Sequence, residues 1–200
     1  MKRISALGTA LLFAFASAAC GGGETGGEAA TQGQAAEAAP AQSEMGGASQ
    51  AVTMPDWFQY DEANNAVTLD ITAGSTSGNN HWNYNGYFGG DGEIFVPQGA
   101  TVTINFVNED PNMAHSVGVD ARRSNFPANF SNPTPVFEGG ITTNPTSMTD
   151  GTMPGESETI TFTAAEAGEY SLVCYVPGHA AVGMYLHFTV TTDGQVGFRE

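Results

Sequence analysis

The sequence predicts an all-β fold, a sandwich or barrel of short strands, from Val52 to the end of the chain. Three observations lead to this prediction. Apolar and polar residues alternate over short stretches, Gly, Pro, Asn and Asp separate those stretches, and nothing beyond residues 1–19 repeats its apolar residues with a helical period. Many short strands between turn signals are typical of a two-layer β domain.

The start of the chain has the features of a secretory signal. A short basic start and a brief apolar run lead through small residues to Cys20. The run is shorter than the roughly 20 residues that a membrane-spanning helix needs. Residues 17–21 resemble the lipobox of bacterial lipoproteins, although Ser17 replaces the usual aliphatic residue. We therefore expect residues 1–19 to be a lipoprotein signal peptide and Cys20 to be the lipid attachment site. Ordinary cleavage and an uncleaved anchor are the alternatives.

Residues 20–52 predict a flexible tether between the anchor and the domain. They are almost entirely Gly, Ala, Glu, Gln, Ser and Thr, a composition that cannot bury a core. A chain of this kind spans on the order of 30 Å. We therefore expect an extracytoplasmic protein that is lipid-anchored to a bacterial membrane, on its periplasmic or cell-surface side. The folded domain would occupy residues 53–200.

The charge balance is strongly acidic, with 5 Lys and Arg against 21 Asp and Glu and a net charge of −16. Loss of the signal would leave Arg122, Arg123 and Arg199 as the basic residues of the mature chain. So few cations cannot neutralise phosphates, which excludes nucleic acid as a partner. An acidic surface suits a basic partner, and adaptation to high salt would produce the same composition.

The alternating stretches provide the strand candidates. In residues 67–71 every second residue is apolar, and residues 102–106 repeat the pattern. Residues 122–155, rich in Pro, Asn, Thr and Gly, predict a long loop or insertion. The other candidate strands are residues 93–96, 116–119, 159–163, 170–176 and 184–191.

The chain holds 2 cysteines, which in an exported protein ordinarily form a disulfide. A lipid on Cys20 would prevent its pairing with Cys174. Cys174 would then be a lone thiol in an oxidising compartment, where metal ligation is one reason to keep it.

Cys174 opens a C-x4-H-x4-M pattern with His179 and Met184. One strand would end near Cys174, the chain would turn at residues 177–178, and Met184 would open the next strand. His115 supplies a second imidazole at the start of another alternating strand. A thiolate, two imidazoles and a thioether suit copper far better than magnesium, calcium or iron in an oxygen-ligand site. His₂Cys with a weak axial Met is the electron-transfer copper geometry.

Each of these residues alone has an ordinary structural explanation, because a single Met or Cys often fills a core. The ordered set on predicted strands favours the metal site instead. The two remaining histidines do not join it. His187 alternates with apolar neighbours and is expected on the outer face, and His81 lies in a polar stretch without a second ligand beside it.

At these residues the sequence resembles the cupredoxins, and within them most of all the sulfocyanin family. The C-x4-H-x4-M loop is shared with azurin and rusticyanin. Residues 83–86 are similar to the Phe-Asn-Phe-Asn-Gly stretch of sulfocyanins, and residues 94–108 to their apolar-Pro-x-Gly strand pair. The resemblance implies a Greek-key β-sandwich and one type 1 copper ion. It also implies one-electron transfer between respiratory redox proteins, such as a cytochrome or a terminal oxidase.

Ser116 follows the first histidine, as in the sulfocyanin and rusticyanin patterns. The resemblance implies that Ser116 lies beside the copper site, where it would favour a relatively high reduction potential.

His179 lies in the turn-forming loop, so we expect it to reach the surface and to serve as the route for electrons. His115 and Cys174 would be enclosed. Small or apolar residues around His179 would form an uncharged docking patch, comprising Pro177, Gly178, Ala180, Ala181 and Val182, joined by Pro111 and Met113.

Three other functions stay open. A periplasmic copper store or chaperone would use exposed methionines, such as Met113, Met148 and Met153. An enzyme is disfavoured, because a multicopper oxidase needs many more histidines than the 4 present and a binuclear electron-transfer site needs a second nearby cysteine. A purely structural interaction domain is the last alternative.

Overall fold

The computed structural model describes residues 51–200. The predicted signal peptide, the lipid attachment site Cys20 and nearly all of the tether lie outside the described residues. Within them the chain forms β1 (Phe58–Asp61), β2 (Ala66–Ala73), β3 (Glu93–Pro97), β4 (Thr101–Asn108), β5 (Gly118–Ala121), β6 (Ser157–Thr163), β7 (Gly168–Val173), β8 (Tyr185–Thr191) and β9 (Gly197–Arg199). Short 3-10 turns lie at Glu62–Asn64, Gly78–His81 and Ala180–Val182.

The strands pair into two sheets. One sheet has the order β1-β2-β4-β6 and the other has the order β5-β7-β8-β3-β9. β2 pairs parallel with β4, and β3 pairs parallel with β8, while the other neighbours are antiparallel. Parallel neighbours need long connections, and the chain supplies them by crossing repeatedly from one sheet to the other. The all-β sandwich that the sequence predicts is confirmed.

The core lies between the two sheets and follows the predicted strand faces. Leu69 of β2 and Ile104 of β4 are neighbours in register, and both are fully buried. Leu172 and Phe188 approach them from the other sheet and belong to the same buried cluster. Burial of each such side chain stabilises the fold by about 1.5–3 kcal/mol, which explains why the alternating pattern determines the faces.

The sequence does not predict β1 and β9. Both are short strands at the edge of a sheet, with lengths of 4 and 3 residues, so neither shows a clear alternation. Next to β9, Thr53 and Phe198 exchange backbone hydrogen bonds of 2.8 and 2.7 Å. Strand pairing in the described part of the chain therefore begins at Thr53.

The predicted long loop contains no strand, because β5 ends at Ala121 and β6 begins at Ser157. Its backbone nevertheless hydrogen-bonds to the segment that carries His115 and to β5, through the pairs His115–Thr152, Val117–Thr142 and Val119–Gly140. The loop therefore covers the outer edge of β5 and holds His115 in place. Within residues 51–200, no helix has the length and apolar character needed to span a membrane.

Candidate metal centre

Three metal-binding side chains meet at one end of the sandwich. Nδ1 of His115 lies 3.1 Å from Nδ1 of His179, and Sγ of Cys174 lies 3.8 and 3.5 Å from these two nitrogens. All three side chains are fully buried. The structure therefore brings together three of the four ligands that the sequence predicts.

Two of these donors come from the connection between β7 and β8. Cys174 follows directly after β7, and Gly178, with a φ of 87°, turns the chain towards the 3-10 turn Ala180–Val182. The turn is closed by hydrogen bonds from Met184 N–H to the His179 carbonyl at 2.9 Å and from Cys174 N–H to the Met184 carbonyl at 3.1 Å. The positive φ favours glycine, which explains why Gly178 precedes His179.

Met184 is the fourth predicted ligand, and its backbone hydrogen-bonds to two of the three donor residues, Cys174 and His179. Its side chain is fully buried in the same core cluster as Cys174. These two main-chain hydrogen bonds of Met184 hold the three residues of the motif together within one loop.

His115 reaches the same point from the segment before β5, where it forms a bridge with Thr152. Its Nε2 lies 2.9 Å from the Oδ2 oxygen of Asp110. The other carboxylate oxygen of Asp110 accepts hydrogen bonds from the backbone N–H groups of Asn112 and Met113. A carboxylate at Nε2 fixes the proton there, so the Nδ1 lone pair of His115 points at the other two donors.

The charge states of the two imidazoles favour a cation between them. Burial lowers the pKa of His179 to about 4, with His115 as a further cause. Burial also lowers the pKa of His115, although the Asp110 carboxylate opposes this shift. Both rings are therefore neutral at pH 7, so each can keep its proton on Nε2 and offer the Nδ1 lone pair to a cation. A metal cation between them satisfies both lone pairs together with the thiolate, so the residues fit a bound metal ion.

Cys174 has no disulfide partner among residues 51–200. Burial raises the pKa of its thiol to about 11, although hydrogen bonds from Ser116 and Val176 oppose the shift. The thiolate is thus favoured only when a cation lies beside it. Oγ of Ser116 lies 3.7 Å from Sγ and accepts a 2.9 Å hydrogen bond from Tyr175 N–H, so its own proton is free for the sulfur.

The prediction that His179 reaches the surface is wrong, because its exposed fraction is 0%. The indole of Trp82 stacks on the imidazole, with ring centroids 4.0 Å apart and an interplanar angle of 19°. Trp82 itself is half-buried and packs against the main core. The ring that covers one face of His179 therefore comes from a different part of the chain.

The predicted docking patch is only partly exposed. Ala180 is buried in a second cluster with Phe126, Val173 and Tyr175. The prediction that Ala180 belongs to the exposed patch is therefore wrong. Ala181 and Val182 are exposed, Val182 at 54%, and Pro111 is also exposed.

Sequence reasoning missed two residues at this site, Asp110 and Trp82. Asp110 lies five positions before His115, so a search for carboxylates near each candidate histidine could have found it. No local signal marks Trp82 as a neighbour of His179. Of the other histidines, His187 is half-buried on the opposite face of β8 from Leu186, as expected, and His81 lies in the 3-10 turn before Trp82.

The chain is similar to known copper-site proteins. The sulfocyanin (SoxE) domain model matches residues 53–198. Sulfocyanin of Sulfolobus acidocaldarius is 31% identical over 130 residues, which cover 63% of this chain and 64% of that protein. Rusticyanin of Acidithiobacillus ferrooxidans is 38% identical over 92 residues, which cover 45% of this chain and 54% of that protein. The chain thus spans less than two thirds of the length of these curated relatives.

Among solved structures, the dithionite-reduced auracyanin of Roseiflexus castenholzii is 28% identical with a TM-score of 0.43. The match covers 62% of this chain and 96% of that one. The β-sandwich, the buried donors and the matched relatives define a cupredoxin, the class of blue copper proteins. Within that class the chain belongs to the sulfocyanin family, whose model covers nearly all of the described residues.

Proposed function

We propose that this protein is a type 1 copper electron carrier that exchanges single electrons with extracytoplasmic respiratory redox partners. The observation that carries the proposal is the buried cluster of three metal-binding side chains, His115, Cys174 and His179. With Met184 these residues would hold one copper ion, which supplies one-electron chemistry by changing between its two oxidation states. Membership of the sulfocyanin family supports the same assignment.

The surroundings of the donors favour a carrier over an enzyme. Among the described residues, the carboxylate that contacts the donors is Asp110, and its two oxygens are engaged by His115 and by two backbone N–H groups. It is therefore not available as a general base for a substrate. Because the donors are fully buried, solvent does not reach them.

The same burial does not favour a copper store or chaperone. A store has to release its ion, and exposed methionines would serve that purpose. Met148 is exposed, but Met113 and Met153 are half-buried. The ligand set of the proposed carrier instead lies in a closed core.

We further propose that a redox protein with a basic surface docks over Ala181 and Val182. Both residues are exposed and uncharged, so a partner can approach without desolvating charges. The three arginines in residues 51–200 all lie in ion pairs with Glu93, Glu169 or Asp120, so the surplus of carboxylates determines the long-range field.

The membrane attachment of this carrier is also a proposal. A lipid on Cys20 and a tether over residues 20–52 would keep the copper domain close to its partners on the outer side of a bacterial membrane. The lipobox-like residues 17–21 support the lipid, and the composition of the tether supports its flexibility.

An anaerobic copper titration of the full chain tests the proposed function. Visible spectroscopy should show intense blue copper–thiolate absorption that saturates at one copper ion per chain, and a redox titration should show one reversible one-electron couple. Colourless copper that passes readily to a chelator would refute the carrier and favour the store.

A further inference from the structure

Trp82 is half-buried and covers one face of a residue of the candidate metal centre. Its indole lies parallel to the imidazole of His179 at a centroid distance of 4.0 Å, while the imidazole itself has no exposed surface. Nε2 of His179 is buried and has no hydrogen-bond partner in the described part of the chain. His179 therefore offers a redox partner no exposed surface, whereas Trp82 keeps part of its surface accessible.

The turn that carries Trp82 is built from unfavourable backbone conformations. Asn79, Asn80 and His81 have φ values of 48°, 58° and 65°, which are left-handed. A non-glycine residue in this region costs roughly 1–2 kcal/mol, although asparagine tolerates it best. Strain of this kind persists where the surrounding structure holds it, and it often accompanies a functional position.

Polar contacts hold this turn against its neighbours. The buried Asn83 amide donates hydrogen bonds of 2.9 and 2.8 Å to the carbonyls of Thr76 and Gly78. The Asn79 amide donates to the Trp82 carbonyl at 2.9 Å. That same amide lies 3.7 Å from the point that a Cβ atom would occupy if Gly183 had one, at the end of the turn with Ala181 and Val182. The turn that carries Trp82 therefore lies against the end of the turn that holds Ala181 and Val182.

We propose that electrons reach the surface of this protein through the indole of Trp82, stacked on His179. This inference rests on the proposed carrier function and goes beyond it, because it assigns the electronic contact to a residue outside the ligand loop. An aromatic ring in parallel contact with a ligand ring couples the buried site to the surface without admitting water. The accessible part of Trp82 and the exposed Val182 of the ligand loop form the surface where a redox partner approaches.

The chain contains 2 tryptophans, which permits a direct test of this contact by fluorescence. Trp57 packs against Phe198, with ring centroids 4.9 Å apart, whereas Trp82 stacks on His179. In the Trp57→Phe variant only Trp82 emits, and Cu(II) loading of the full chain should remove nearly all emission. In Trp82→Phe only Trp57 emits, and the loss should be clearly smaller. Equal losses in the two variants would overturn the contact.

Electron self-exchange between oxidised and reduced copper-loaded full chains tests the route. Trp82→Leu keeps an apolar cover but removes the aromatic ring, and its exchange should be severalfold slower than that of the wild type. Trp82→Phe and the control Trp57→Phe should stay close to the wild type, and blue absorption should report an intact site in all three. A blue Trp82→Leu variant that exchanges at the wild-type rate or faster would overturn the route alone. A wild-type chain without blue absorption would refute the proposed function itself.

Discussion

The carboxylate of Asp110 lies 2.9 Å from Nε2 of His115, and both side chains are buried. Burial by itself would raise the pKa of Asp110, but the hydrogen bond from His115 and those from the backbone of Asn112 and Met113 outweigh it and lower the pKa. Asp110 is therefore a carboxylate in the folded protein. It holds a proton on Nε2 of His115 and leaves Nδ1 free for a metal ion.

The first prediction concerns this pair. Asp110→Asn keeps the shape of the side chain but can donate to Nε2, which would move the imidazole proton to Nδ1. We expect copper affinity to fall by roughly 10–100-fold, the usual effect of losing a partner behind a ligating histidine. Competition with a chelator measures the affinity. Glu109→Gln removes the same charge from an exposed neighbour and should have little effect. Equal affinities in both variants would show that Asp110 does not orient His115.

The second prediction separates the roles of the sulfur ligands. Cys174→Ser should abolish the blue absorption, because the thiolate supplies the charge-transfer band. Met184→Leu should stay blue and bind copper, with a higher reduction potential, because only a weak axial ligand is lost. Met148→Leu, at an exposed methionine, serves as the control. A blue Cys174 variant, or complete loss of copper in Met184→Leu, would mean that the ligand assignment is wrong.

The third prediction tests the docking patch. Ala181→Asp places a charge on an exposed residue of the ligand loop and should slow electron exchange with a redox partner severalfold, with spectrum and potential nearly unchanged. Ala167→Asp adds the same charge at an exposed residue in the turn before β7 and should exchange at the wild-type rate. Added salt should slow encounter with a basic partner in all three proteins without repairing the Ala181 defect. Identical rates for the two variants would exclude docking over Ala181.

The fourth prediction concerns stability and pH. Burial would raise the pKa of Glu93, but hydrogen bonds from Arg122, Thr189 and Arg199 outweigh it and lower the pKa. A carboxyl group whose pKa is lowered by folding stabilises the folded state at pH values above its pKa in the unfolded state. This contribution is lost as the pH falls through its pKa in the folded state. Glu93→Gln should therefore reduce the free energy of unfolding by about 1–3 kcal/mol at pH 7.

Urea unfolding as a function of pH measures this effect, and the difference between the wild type and Glu93→Gln should shrink below a pH of about 4.5. Glu169 also pairs with Arg122, but its side chain is 69% exposed. Glu169→Gln should change the free energy of unfolding by less than about 1 kcal/mol at any pH. A pH-independent difference for Glu93→Gln would contradict the ionic explanation.

The fifth prediction concerns the part of the chain outside the described residues. Cys20→Ala should release the protein from membranes into the soluble fraction, because a lipid at this residue would be the anchor. A chain that begins at Val52 should fold and remain blue, since the earlier residues contribute no apolar surface to a core. Membrane retention of Cys20→Ala would reject the lipid, and unfolding of the shortened chain would move the domain boundary.

The parts of this structure that the sequence predicts are those with a local signal. Alternation in residues 67–71 and 102–106 identifies the buried faces of β2 and β4, because every second side chain must enter the core. The C-x4-H-x4-M spacing likewise predicts that Cys174, His179 and Met184 lie close together, because a single short loop connects them.

What the sequence does not predict depends on contacts between distant segments. The stacking of Trp82 on His179 joins two loops that no pattern relates, and His179 is buried where the sequence predicts exposure. Ala180 is buried for a similar reason, because Phe126 from the long loop belongs to the cluster around it. The edge strands β1 and β9 are too short for a period to appear.

The parallel pairing of β3 with β8 also has a consequence for the time that the chain needs to fold. Thr189 of β8 donates to the Glu93 carboxylate across a separation of 96 positions, and Cys174 meets His115 across 59. Non-local pairings of this kind must overcome the entropy of closing long loops before they gain contact energy, so such domains fold on the order of milliseconds to seconds. The hairpin of β7 and β8 can form early because its partners are close in sequence. By the same argument His115, 59 positions before Cys174, joins this hairpin only after a longer loop has closed, so the complete ligand set forms after the hairpin.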